Sequence, residues 1–151
     1  MSGLNYSVGF ENVAVSTVVD LLEGLTPSGN VITIHRIEFS DDATSLEQLR
    51  VQLLLRSTAG SGGTSVTPRA KSPLNSRASA VTWNRTVTTP GTAGNALTQG
   101  WRWGQVWNFD YVLGKPQLEI EIPSATRFAL ALLNAPTASK NFSVEIDYEE
   151  R

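Results

Sequence analysis

The sequence predicts an all-β fold, a single antiparallel two-sheet sandwich, jelly-roll-like, with about eight strands and two long loops. Three observations predict it. Apolar residues alternate with polar ones at period two in segment after segment. Clusters of Gly, Pro, Asn and Ser separate those segments. No stretch sustains a helical period. The 151 residues suffice for one core, so 1–151 is expected to be a single domain.

The elements follow in chain order. Residues 1–12 show no strong signal and are taken as an N-terminal segment. Residues 13–25 read as one strand with a bend, closed by the turn Thr26-Pro27-Ser28-Gly29-Asn30. Residues 30–40 follow, carrying Val31, Ile32, Ile34, Ile37 and Phe39. Their imperfect alternation suggests burial on both faces. Asp41 to Leu49 is a loop or short turn leading into residues 48–57, where Val51, Leu53 and Leu55 share a face. Residues 57–79 contain Gly60, Gly62, Gly63, Pro68 and Pro73 without apolar period, and read as a long loop or arm. A short strand at 80–88 precedes a second Gly-rich loop, Pro90 to Gly100. Strands at 102–112, 117–123, 127–134 and 141–149 complete the set. The last is clearest, with Phe142, Val144, Ile146 and Tyr148 opposed to Ser143, Glu145, Asp147 and Glu149.

Composition narrows the chemistry. With no cysteine, disulfides, thiolate nucleophiles and Cys-ligated metal centres are excluded. No run of about 20 apolar residues is present, so no membrane partner is expected. Charged residues make up only 17% of the chain against about 25% in ordinary domains, which suits a surface partly covered by other subunits. Between Val51 and Lys115 the charges are basic (Arg56, Arg69, Lys71, Arg77, Arg85, Arg102 and Lys115) with Asp110 the lone acid. Acids gather in the flanks. Such blocks either form complementary patches that join copies of the chain or are dispersed when distant strands interleave.

Catalytic motifs are missing. His35 is the single histidine and sits mid-strand, away from any nucleophile motif, so it is expected to be structural. Asp41-Asp42 lacks the spaced acids of a calcium loop. Glu119 with Glu121, and Glu145 with Asp147, each lie on one strand face, the usual pattern of a solvated surface. Gly60 to Thr64 lacks the lysine and the helix of a phosphate loop. No enzyme activity and no cofactor are therefore expected. Six residues stand out for interface or binding. Arg69, Lys71 and Arg77 lie on the arm, and without interleaved aromatics they do not indicate nucleic acid. Trp101, Arg102 and Trp103 open an aromatic run through Trp107, Phe109 and Tyr111 that suits core packing, a subunit contact or a sugar platform.

Several features occur together: Thr17 to Pro27 (TVVDLLEGLTP) leading into the strand with His35; Gly62 to Pro68 (GGTSVTP) followed by Leu74-Asn75; the Trp107 strand; and a final strand ending in acids. This set resembles small jelly-roll virion proteins of tailed bacteriophages, of the head decoration, cement or minor capsid type. The resemblance implies a virion location, on the head exterior or in tail parts. It also implies a homo-oligomer, typically a trimer, with the major capsid protein or another virion protein as partner. No catalytic residues come with it. The alternative is a lectin-like carbohydrate-binding module that takes a glycan on the aromatic strand.

Overall fold

The computed structural model describes residues 3–42, 47–74, 76–104, 109–112 and 119–151, with 103–104 and 109–112 described through their backbone. Among them every regular element is a strand. Alternation is the cause. In β1 (Leu4–Val15), Tyr6, Val8 and Phe10 are buried, while Asn5 and Glu11 face solvent. Residues 1–12, expected as a plain N-terminal segment, thus hold most of a strand. β1 pairs along its length with β13 (Lys140–Glu150), setting Tyr6 opposite Tyr148, Val8 opposite Ile146 and Phe10 opposite Val144. The chain bulges between Phe10 and Val13, where Asn12 takes φ 53° and its N–H donates to Ser143 Oγ at 3.0 Å.

Two sheets face each other. β13 lies between β1 and β3 (Ile32–Asp41), and β3 carries β10 (Phe109–Val112) and β11 (Ile120–Ile122) on its far edge. In the second sheet β12 (Arg127–Leu132) lies between β2 (Val19–Leu25) and β4 (Gln48–Arg56). β4 is bordered by β8 (Ala93–Ala96) and β9 (Trp101–Gly104). The orders β1-β13-β3-β10 and β2-β12-β4-β9, with the chain passing repeatedly between sheets, make the sandwich a jelly roll. Three further strands lie between β4 and β8: β5 (Thr64–Val66), β6 (Arg69–Ala70) and β7 (Thr82–Val87). β7 extends the second sheet beside β2, β5 lies outside β7, and β6 pairs with β1 in the first sheet.

Two expected strands divide, for the same reason. Residues 13–25 split at Ser16–Val18, because β1 belongs to one sheet and β2 to the other. Residues 102–112 likewise yield β9 in one sheet and β10 in the other, and Trp107 lies outside the described residues. The supposed single aromatic face is therefore shared between sheets.

The core fills the space between them with Leu21, Ile34, Ile37, Phe39, Leu53, Leu130, Phe142 and Ile146, all fully buried. One end is aromatic. Tyr6 stacks on Tyr148 with centroids 5.6 Å apart, and Trp83 meets Phe128 edge-on at 5.1 Å. Their polar atoms are satisfied within the same cluster. Trp83 Nε1 donates to Tyr148 Oη at 3.2 Å, Ser79 Oγ lies 2.7 Å from that oxygen, and Tyr6 Oη donates to the Arg77 carbonyl at 2.9 Å. Glu150 accepts from Asn30 Nδ2, Ser79 Oγ and the Ala80 N–H. Burial pushes the Tyr148 phenol up from 10.0 to about 12.

A folded-state phenol with a raised pKa favours the protonated chain, so this contribution is complete below about pH 10 and is lost as pH rises towards 12. Tyr148→Phe strands the Trp83 N–H and should cost about 1–3 kcal/mol in urea unfolding at pH 7. The same variant should lose less stability than the parent between pH 10 and 12, which unfolding at several pH values would measure.

Candidate functional site

The arm is built into the body. Ser61 and Thr89 exchange backbone hydrogen bonds of 2.9 and 3.1 Å, and the Ser57 N–H donates to the Thr92 carbonyl at 3.0 Å. These two loops cover a patch of β2 that carries charge. Asp20 is fully buried and receives a forked contact from Arg56, whose Nη1 also donates to the Gly91 carbonyl at 2.9 Å. Glu23 is buried between Arg127 Nη1 at 2.7 Å and the Gly60 N–H at 3.0 Å. Desolvation raises the Asp20 pKa above the ordinary value, against the opposing pull of Arg56. These four charges were not singled out in the sequence. The visible signal was an acid set among aliphatics, Val18-Val19-Asp20-Leu21-Leu22. Their arrangement is structural, two acids matched to two arginines under a lid of loops.

The outer face of the β1-β13-β3 sheet is different. It is open and rich in carboxylates. Arg36 bonds Glu38 and reaches Glu145 at 3.6 Å and Asp147 at 3.9 Å, while Lys71 bonds Asp147 from the arm. His35 stands between Glu119, 2.8 Å from Nδ1, and Glu149, 3.6 Å from Nε2. A groove of about 610 Å³ crosses this face. Ser7, Gly9 and Ser143 lie along it with Glu11, Glu38 and Glu145, and β5 with Arg69 and Arg85 lines its other side. The arm makes that side because β5 pairs with β7 in one sheet, whereas β6, after the Thr67-Pro68 corner, pairs with β1 in the other.

The six residues expected at an interface fall into two groups. Arg69 lines the groove, Lys71 bonds the acidic face, and Arg77 lends its carbonyl to Tyr6, so the three arm residues border one sheet. Trp101, Arg102 and Trp103 lie on β9 in the other sheet, opposite Val51, Arg50 and Leu49. Trp101 is half-buried and packs on Phe39 with centroids 6.4 Å apart. Its ring packs partly against the core. Arg102 is exposed, and Trp103 is described through its backbone alone.

No protein-family model matches this chain, and no curated protein or solved structure matches it either. The chemistry must be judged from geometry. Among the described residues, no group of three or more His, Asp or Glu side chains is placed to hold a metal ion. Asp42 of the Asp41-Asp42 pair is engaged by the Asn141 N–H at 2.9 Å and Nδ2 at 2.7 Å, contacts that lower its pKa. What the surface offers is charge complementarity over an open groove, the equipment of a binding face.

Replacing Arg56 by Met should cost about 3–5 kcal/mol at pH 7, because Asp20 would remain buried and uncompensated. Burial raises the Asp20 pKa, so the stability contributed by this group falls as pH rises through its folded pKa. The penalty of Arg56→Met should therefore be smaller at pH 4 than at pH 7, because a raised pKa makes the buried carboxylate easier to neutralise. Denaturant unfolding at both pH values would check it.

Proposed function

We propose that this chain is a non-enzymatic structural protein of a tailed-bacteriophage virion. It acts as a capsid decoration or cement protein that self-associates, as a trimer, and binds the capsid surface to stabilise it. The observation that carries the reading is the strand order, β1-β13-β3-β10 against β2-β12-β4-β9. That double-sheet jelly roll is the architecture of many viral coat domains, and the warrant is one of fold analogy. The surface supports it. Charge is sparse over the chain and concentrated on defined faces, as suits a protein that meets partners broadly.

The arm packs on β1, β7 and β13 as a wall of the groove and leaves its tip for a neighbouring subunit. Contacts between copies then fall to the sheet faces and to loop tips such as Leu74, which is 94% exposed.

Light scattering of the purified protein should give a mass of three times 16.3 kDa. The protein should also co-sediment with capsids prepared without it and raise the temperature at which they rupture. A monodisperse monomer that leaves capsids unbound would refute the proposal.

A further inference from the structure

Residues directly opposite on antiparallel strands hold their side chains close together, so like charges there repel. Four such pairs occur among the described residues: Arg56 faces Arg127, each held by a buried acid, and the others are Arg50–Arg102 on the same sheet and, on the other sheet, Glu38 with Glu145 and with Asp110. Arg50 of β4 faces Arg102 of β9, and both are exposed. Among the described residues neither has a carboxylate within ion-pair distance. A pocket of about 200 Å³ opens at this pair, lined by Gln48, Leu49, Leu133 and Asn134 besides the two arginines. Its wall is fixed, since Asn134 accepts from the Arg50 N–H at 2.6 Å and donates to the Gln48 carbonyl at 2.9 Å.

The acidic counterpart lies on the other sheet. Glu38 of β3 faces Glu145 of β13, with side chains 33% and 49% exposed. The register continues outward, placing Asp110 opposite Glu38 on one side and Gly9 opposite Glu145 on the other. Among the described residues Arg36 alone bridges Glu38 and Glu145, and it is shared with Asp147. Gly9 presents no side chain, which leaves the groove open beside Glu145. Glu11 in the same groove has no cation within ion-pair distance among the described residues. Arg69 and Arg85 belong to β6 and β7 on the far side, so a cationic partner approaches across β3.

We infer that the Arg50–Arg102 pair of one copy of this chain docks on the Glu38–Glu145 pair of a second copy. Both pairs are directly opposed cross-strand neighbours, so their spacings match and each arginine can meet one carboxylate. The two surfaces differ, so the contact is head-to-tail and builds a ring when its rotation closes. The inference rests on the self-association proposed above and names the surfaces that carry it.

Charge exchange tests it. Arg50→Glu with Arg102→Glu should weaken self-association about tenfold or more in analytical ultracentrifugation, and Glu145→Lys should do the same. Circular dichroism would show that both variants keep their fold, and all three substituted positions are exposed or nearly half-exposed. Combining Arg50→Glu, Arg102→Glu and Glu145→Lys in one chain should restore assembly, because every new Glu face then meets a new Lys around the ring. Raising NaCl from about 0.1 to 1 M should dissociate the parent protein but leave its secondary structure intact. A parent oligomer unaffected by Arg50→Glu with Arg102→Glu, or a combined variant that stays dissociated, overturns the docking while the oligomer stands. A parent protein that is monomeric at all concentrations overturns both.

Discussion

The sandwich depends on one pairing constraint: β13 must lie between β1 and β3. Leu4 pairs with Glu150 at one end of that ladder, nearly the whole chain away, and Ile32 meets the same Glu150 from the other side. Every backbone group of the central strand is satisfied by residues remote in sequence, so the sheet closes only at a large cost in loop entropy. The reward is concentrated on the inner faces. Val144, Ile146 and Tyr148 join Val8, Tyr6, Ile37 and Phe39 in a continuous apolar layer. Once it forms, the outer face is determined too, because alternation sends Ser143, Glu145 and Glu149 the other way. The acidic surface is thus a by-product of core register, and no loop conformation is needed to create it.

Charge appears in two settings with opposite consequences. Under the loops, Asp20 and Glu23 are desolvated and each is held by one arginine, which makes them specific but costly. On the outer face, Glu38 and Glu145 share Arg36 in water and cost little, whereas Asp147 beside them is buried and held by Arg36 and Lys71. The first setting holds the loops on their sheet. The second leaves uncancelled potential available to a partner.

Much of this was legible in the residues. The strand Phe142–Tyr148 alternates so regularly that its buried and exposed faces could be assigned directly, and the structure agrees except at Asp147, which is buried next to the register shift between Asp147 and Tyr148. Leu4, Tyr6, Val8 and Phe10 alternate equally well, though residues 1–12 were expected only as an N-terminal segment, and Asn5, Gly9 and Asn12 are poor strand formers. Those residues are tolerated because β13 supplies the pairing, and because the bulge accommodates Asn12. The arm misled for a related reason. Glycines suggested slack chain, but a Cβ on Gly60 would come within 2.3 Å of Val87 Cγ1. Glycine there permits close packing. Trp101 to Tyr111 showed the limit of pattern, since periodicity is silent about a chain crossing between sheets. Arg102 was picked out beforehand, whereas its neighbour Arg50 emerged only from strand register.

The short passage from β5 to β6 carries a mechanical meaning. Within a few residues the chain is hydrogen-bonded first to β7 at Thr64–Arg85 and then to β1 at Ser7–Arg69, so a single segment is stitched to both layers. Two sheets joined only by apolar contact can slide on one another under lateral load, since dispersion and hydrophobic forces have little directionality. Here sliding requires backbone hydrogen bonds at the strap to break in concert. The sandwich consequently resists shear along this edge, and a force applied there would be transmitted through the strap.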